Sequence, residues 1–361
     1  MTVDSHRAAR KDDHVHLAEQ QHSSSAPRTE LDDLQFVHHA LEAVSTDEVD
    51  LTVTVADWRW PVPFYVNGMT GGTQKTARIN RALAIAAAET GMPIASGSIS
   101  VALDEPDTAA GFTVIREENP RGFVMANLGA GRSAQDAVRA VDLLGADALQ
   151  LHLNAVQETV MPEGSRDFSD WARSVEQIVA ACPVPVIVKE VGFGLSRRTL
   201  STLTSLGVQV ADVSGRGGTD FLSIENSRRT TGMLDYSSLS GFGQSAPASL
   251  LDAPGDSPEL LASGGVRHPY DVVKALACGA RAVGVAGVFL KTVLDGGAEA
   301  LVPLVRAWQE QMTAVLGLLG ARTPAELTQV DLLVRGDLAE FCHLRGIDLT
   351  ELAHRSDRYR S

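Results

Sequence analysis

Cysteine is scarce: three residues, Cys182, Cys278 and Cys342, stand far apart in a chain of 361 with no CxxC spacing. That argues against a disulfide framework and against a zinc site, and fits a reducing cytoplasm. Positive charge is also in deficit. A net charge of −14 and a pI near 5.1 would repel phosphate backbones and anionic lipid, so nucleic acid and membrane surfaces are poor partners, and an anionic ligand must meet a local positive pocket. No apolar run is long enough to span a bilayer, and the opening MTVDSHRAARKDDHVHLAEQQHSSS has no apolar core of a secretory signal. We therefore expect a cytoplasmic protein with no membrane partner. No internal repeat is visible beyond the alternation described next.

A hydrophobic content of 44% suffices for one large α/β domain with extensions. Residues 1–34, rich in His, Ser, Asp and Arg, read as a polar N-terminal segment. From Phe64 onward, apolar and β-branched runs alternate with stretches of helical period, the pattern of repeated βα units. Strands are predicted at Phe64–Asn67, Pro93–Ser96, Phe123–Asn127, Ala148–Leu153, Val186–Lys189, Gln209–Val213, Leu260–Ser263 and Ala282–Val285. Helices are predicted at Thr76–Thr90, Ser133–Leu144, Ser169–Ala181, Ser196–Leu206 and Pro269–Cys278, several closing before a glycine. Serial units of this number predict a TIM (β/α)₈ barrel over residues 35–320, with a C-terminal helical extension over 321–361. Leu301–Asp337 reads as barrel-covering helices. Arg216–Pro258 is too long for an ordinary βα loop, and its section GFGQSAPASLLDAPGDSP predicts a mobile flap or insertion over the active face.

Functional groups of a barrel collect where strands end and loops begin. The densest such cluster is QLHLNAVQE, Gln150–Glu158. Strand alternation puts Gln150, His152 and Asn154 on one face and Leu151 and Leu153 on the other, with Gln157 and Glu158 on the following loop. A lone histidine at a strand end is more often structural, but four converging polar groups favour a binding site. Glu158 is a hard oxygen ligand of the kind Mg²⁺ uses sparingly when a diphosphate supplies the rest. In PVIVKEVG, Lys189 and Glu190 interrupt a buried run, where an unpaired ammonium is costly, so an anionic partner such as a reduced flavin ring is expected.

ASGGVRHP (Ala262–Pro269) and GVAG (Gly284–Gly287) occupy the positions from which barrels build a phosphate site after strands seven and eight, with Arg267 adding a charge-assisted contact. They predict a phosphorylated ligand without separating FMN from a sugar phosphate. NGMTGG (Asn67–Gly72), SGS (Ser96–Ser98) and ANLGA (Ala126–Ala130) read either as ligand-facing loops or as plain turns and helix caps. Arg10, Lys11 and His14 group three potential cations. They are either a solvated basic spot or, with the segment folded over the mouth, the positive pocket that the overall charge demands.

RKDDH (Arg10–His14), MTGG (Met69–Gly72), HLNAVQE (His152–Glu158), PEGSRDF (Pro162–Phe168), VKEVGFGLS (Val188–Ser196), SGRGGTDF (Ser214–Phe221) and ASGGVRHP together resemble the type 2, FMN-dependent isopentenyl diphosphate isomerases. The resemblance runs from about Arg10 to Leu319, and HLN and QE followed by PEG and SGRGGTDF in that order carry its specificity. It implies a barrel that interconverts isopentenyl and dimethylallyl diphosphate with reduced FMN and Mg²⁺, charged by NADPH or another reductant, and a homo-oligomer, tetramer or octamer. It implies flavin contacts from Met69, Thr70, Ser98, Asn127, Lys189, Ser214, Thr219, Gly265, Arg267, Ala286 and Gly287. Diphosphate or substrate contacts are implied for Arg10, Lys11, His14, His152, Asn154, Gln157 and Ser196, with Glu158 as the metal ligand. Gln157, His152 and Glu225 are implied as the catalytic set, Gln157 near the alkene and Glu225 as an acid beside the flavin. The chain departs from the family in GSIS, where Ser100 stands in place of a frequent arginine, which removes one expected diphosphate contact. The competing readings are a flavin oxidoreductase of a small hydroxy acid, for which no second Arg–His pair is seen at the strand ends, and a non-catalytic FMN-binding barrel.

Overall fold

Short apolar runs buried on both faces need helices on one side and a packed interior on the other, which a parallel sheet achieves by closing on itself. The computed structural model describes residues 14–19, 21, 28–69, 71–229 and 235–359, so Arg10, Lys11 and Thr70 lie outside the described residues. Three short strands come first: β1 (Leu34–Phe36), β2 (Val53–Val55) and β3 (Trp58–Trp60). The barrel follows as β4 (Phe64–Val66), β5 (Ile94–Ala95), β6 (Val124–Gly129), β7 (Ala148–His152), β8 (Val186–Lys189), β9 (Val210–Asp212), β10 (Glu259–Ser263) and β11 (Val283–Val285). Neighbours pair in chain order, and β11 returns to β4 to close the ring. All eight predicted strands are present, within a residue or two at their ends. In the ladder, His152 stands opposite Lys189 and Lys189 opposite Asp212, which sets three polar residues at one level.

Around the ring run α1 (Gln74–Thr90), α2 (Ser100–Asp104), α3 (Ala110–Glu118), α4 (Ala134–Leu144), α5 (Ala155–Val160), α6 (Trp171–Ala181), α7 (Arg197–Ser205), α8 (Phe221–Ser227), α9 (Ala246–Leu251), α10 (Pro269–Ala277) and α11 (Gly287–Leu318). Capping explains their ends. Thr73 starts α1 two residues before the predicted point, its hydroxyl accepting from the Thr76 N–H, and Gly91 ends the helix at φ 72°. The interior is filled by Tyr65, Met125, Ile187, Val210 and Leu261, on which the β2–β3 hairpin sits. Its Trp60 ring lies 5.7 Å from that of Tyr65 and 5.2 Å from that of Phe123, so this end of the barrel is sealed with aromatic surface. Outside the ring, Phe64, Phe289 and Trp308 pack with centroids 5.3–6.4 Å apart and clamp α11 onto β4.

Two expectations are corrected. The Gly/Ser/Pro-rich section of Arg216–Pro258 is not a flap over the mouth: it contains α9, whose Ala246, Ala248, Ser249 and Leu250 are buried, so it supplies the barrel's own helix between β9 and β10. Leu301–Asp337 is α-helical to Leu318 and again only from Gly336, where a helix runs to Leu344. Beyond Gly320, at φ 75°, come a 3₁₀ turn at Pro324–Gln329 and a strand β12 (Leu332–Val334) antiparallel to β1, with Leu34 opposite Val334. The apolar run Leu332–Val334 buries Leu332 completely, and this favours pairing over a further helical turn. No helix among the described residues is long and apolar enough to cross a membrane.

Truncating Phe289 should open a cavity between β4 and α11. Phe289→Ala is expected to lower unfolding free energy by about 3–5 kcal/mol, read as a shifted denaturant midpoint at unchanged slope.

Candidate active site

A cavity of about 1160 Å³ opens at the carboxyl ends of the strands. One wall is nearly bare backbone. A Cβ on Gly264, at φ 97°, would stand 1.9 Å from the Gly215 carbonyl oxygen, and one on Gly215 would stand 2.0 Å from the Ala246 nitrogen. The loops after β9 and β10 therefore meet without side chains between them. Ala286, Gly287 and Val288, the start of α11, line the same cavity. That helix has no side-chain cap at Ala286, so its first N–H groups are available to an anion.

The opposite wall is built by β7. His152 Nδ1 lies 2.9 Å from Asn127 Oδ1, and Asn127 Nδ2 donates to Gln150 Oε1 at 3.1 Å. With its amide so oriented, Asn127 calls for a proton on His152 Nδ1. Asn154 Nδ2 donates to Gln157 Oε1 at 3.2 Å and to Glu158 Oε1 at 3.1 Å, while Glu158 Oε2 accepts from the Ser165 N–H at 2.8 Å. The amide of Gln157 is fixed at its other end by donation to Glu225 Oε1 at 3.0 Å.

Glu225 is fully buried and joins three segments: Gln157 from α5, Arg228 just past α8, and His14 Nε2 at 2.9 Å from the N-terminal helical stretch. Burial pushes its pKa up, but the bonds from His14, Gln157 and Arg228 outweigh this and bring it down to about 2. A carboxylate held there carries no proton near neutral pH. In this arrangement Glu225 holds Gln157 and His14 in place.

Lys189, 4% exposed, points into the barrel and donates to the Glu190 carbonyl at 2.5 Å, with Ser214 Oγ at 3.5 Å. Burial lowers its pKa, opposed by Asp212 and Glu190. The Glu190 carboxylate is turned onto its own turn, where Oε2 accepts the N–H groups of Val191, Gly192 and Phe193 at 2.7, 2.8 and 2.5 Å. Burial raises its pKa to about 7 despite those bonds.

Most of the expected residues share the cavity: Met69, Ser98, Asn127, Lys189, Ser214, Thr219, Gly265, Arg267, Ala286 and Gly287 on the glycine side and floor, His14, His152, Asn154, Gln157 and Glu158 on the other. Ser196 is apart from them. Its hydroxyl caps α7, accepting from the Thr199 N–H at 3.2 Å, and it does not line the cavity. Arg267 is bound to Asp271 and to Asp32 by contacts of 2.6–3.0 Å, so its charge is largely used within the protein. Three contributors escaped the sequence reading. Asp212 carries the same signal as Lys189, a charge inside an apolar run. Arg132, on the cavity wall and paired with Asp104 at 2.5 Å, and Asp32 give no local signal, because their partners are distant in sequence.

The profile described as FMN-dependent dehydrogenase matches residues 103–334, which defines the class of this barrel and site. An isopentenyl-diphosphate delta-isomerase of Kitasatospora griseola is 56% identical over 349 residues, 97% of this chain and 95% of that one. One from Staphylococcus haemolyticus is 44% identical over 348 residues, 96% of this chain and 99% of that one. Within the class, the chain belongs to the isopentenyl-diphosphate delta-isomerase family. A solved mandelate oxidase with (S)-2-phenylpropionate, 18% identical, superposes with a TM-score of 0.62 over 92% of this chain and 98% of that one, a likeness of fold alone.

The Glu190 pKa, near 7 against an ordinary 4.5, makes the folded protein bind this proton more tightly than the unfolded one. Its contribution is therefore full below about pH 4.5 and is lost as pH rises through about 7. Relative to wild type, Glu190→Gln is expected to gain about 3 kcal/mol of stability between acid and mildly alkaline pH. Unfolding midpoints of both proteins, measured on either side of neutrality, check this.

Proposed function

We propose that this cavity holds FMN and, beside it, a C5 allylic or homoallylic diphosphate, and that the protein interconverts isopentenyl and dimethylallyl diphosphate. The observation that carries the reading is that one cavity joins a side-chain-free glycine cradle to the cluster His152, Asn154, Gln157 and Glu158. Its volume, about 1160 Å³, exceeds that of a usual single-ligand pocket and gives room for a flavin nucleotide and a small substrate together. The cradle fits a flavin phosphate because any Cβ would fill it, and the uncapped start of α11 offers donors to the same anion.

When bound, reduced FMN supplies an electron-rich ring that stabilises a cation-like species and exchanges a proton with it. The chain's residues do the rest. His152 and Asn154 meet the diphosphate, joined by His14 and, from the segment outside the described residues, Arg10 and Lys11. Glu158 holds Mg²⁺ by one carboxylate, as this cation can be held when a diphosphate completes its shell; no cluster of three metal-ligating side chains occurs among the described residues. Gln157, its amide locked between Asn154 and Glu225, sets the alkene in place and contributes to proton transfer there. His14, Val15, Ala18 and Gln21 line the cavity, which supports a cover formed by residues 1–34 that excludes water from the cation. As finer parts of the same reading we propose NADPH or another reductant to charge the flavin, a homo-oligomer of four or eight subunits, and a cytoplasmic setting.

Two measurements test the reading. Isomerisation leaves the oxidation level unchanged, so enzyme photoreduced anaerobically should give many turnovers of isopentenyl diphosphate with Mg²⁺ while its spectrum stays reduced. Product limited to one per flavin points to an oxidoreductase and overturns the proposal. Glu158→Gln is expected to raise the Mg²⁺ concentration for half-maximal rate at least tenfold, a neutral amide being a poorer ligand for a hard cation. An unmoved metal titration with collapsed turnover removes Glu158 from the metal.

A further inference from the structure

Asp212 is buried to 0% exposure on the barrel's inner wall, one strand from Lys189 and opposite it in the ladder. Every bond it makes is to a donor other than lysine. Tyr65 donates its hydroxyl to Oδ2 at 2.8 Å, Ser263 Oγ lies 3.0 and 2.9 Å from the two oxygens, and the Ser214 N–H donates to Oδ1 at 3.0 Å. Four such contacts, from Tyr65, Ser214 and Ser263, surround the carboxylate in the wall. Ser214 also has a positive φ of 39°, one of two such non-glycine residues among those described. In that conformation its N–H is bonded to Asp212.

An ammonium at 4% exposure needs an anion, and the candidates facing it are few. His152, opposite it on β7, is no anion. Glu190, next in the chain, has its carboxylate turned away onto three backbone N–H groups. Tyr65 is held neutral, its pKa pushed well above 10 by burial and by Asp212 itself. That leaves Asp212. We propose that Asp212 is the counter-charge that keeps the Lys189 ammonium protonated in the cavity wall and that, through Ser214, fixes the turn beside it. It is a positioning residue: it touches neither ligand, and acts on the flavin only through Lys189 and Ser214, a consequence that rests on the proposed flavin site.

The chain has five lysines, so a full-length protein labelled with ¹³C in the lysine side chains gives few signals, and the one lost in Lys189→Met identifies Lys189. Asp212→Asn keeps the shape and removes the charge. It is expected to lower the Lys189 titration midpoint by about one to three pH units, whereas Tyr65→Phe, which keeps the carboxyl group, shifts it less. A midpoint that Asp212→Asn does not move overturns the proposal. Should that variant fail to fold, the wild-type titration decides, since a Lys189 already neutral at pH about 7, where an ordinary lysine is fully charged, overturns it too. Absorbance of protein reconstituted with FMN separates the two readings: failure to bind flavin counts against the flavin site and leaves the lysine titration standing, while bound flavin with an unmoved lysine counts against Asp212 alone.

Discussion

A closed parallel barrel admits water only at its ends, and inside it every polar group must find a partner in the wall. Here one end is shut by the β2–β3 hairpin, with Trp60 against Tyr65 and Phe123. Charge can then be accommodated only toward the other end, where strands give way to loops. The ladder gathers His152, Lys189 and Asp212 at one level there, and Tyr65, Ser214 and Ser263 supply the bonds that make a buried carboxylate tolerable. Site and fold answer the same requirement.

The charge balance follows from it. A protein of net charge −14 must concentrate cations at a site for diphosphates, yet several of its arginines are neutralised before any ligand arrives. Arg267 is held by Asp32 and Asp271, Arg228 by Glu225 and Glu163, and Arg216 by Glu30. Two of these pairs tie the turn Glu30–Asp33 to the loops after β9 and β10, and Lys274 adds a bond to the Leu31 carbonyl at 2.8 Å. They act as struts for the glycine cradle, which has no side chains to brace it.

What the sequence disclosed was whatever has a local cause. Doubly covered strands such as Val186–Lys189 are continuous apolar runs, and Ser133, Ser196 and Pro269 mark helix starts by short-range bonds, so the barrel was readable. The cluster at His152–Glu158 was readable because two-residue alternation points its members to one face. Features set by distant partners were not. Leu332–Val334 becomes a strand only because Leu34–Phe36 lies beside it, and α9 hides in a composition that suits a loop equally well. Glu225 stands out in FLSIEN, but its state depends on His14 and Arg228 meeting it in space, which no spacing encodes.

The ribbon that pairs Leu34 with Val334 also orders events in time. The ribosome releases the first partner long before it makes the second, so the early residues wait, unpaired, through the synthesis of the whole ring. Contacts that span so much of a chain close slowly. Because β1 continues directly from the turn that braces the glycine cradle, the mouth is expected to reach its final shape last, after the barrel beneath it is complete. On this order a nascent chain carries its scaffold before its pocket.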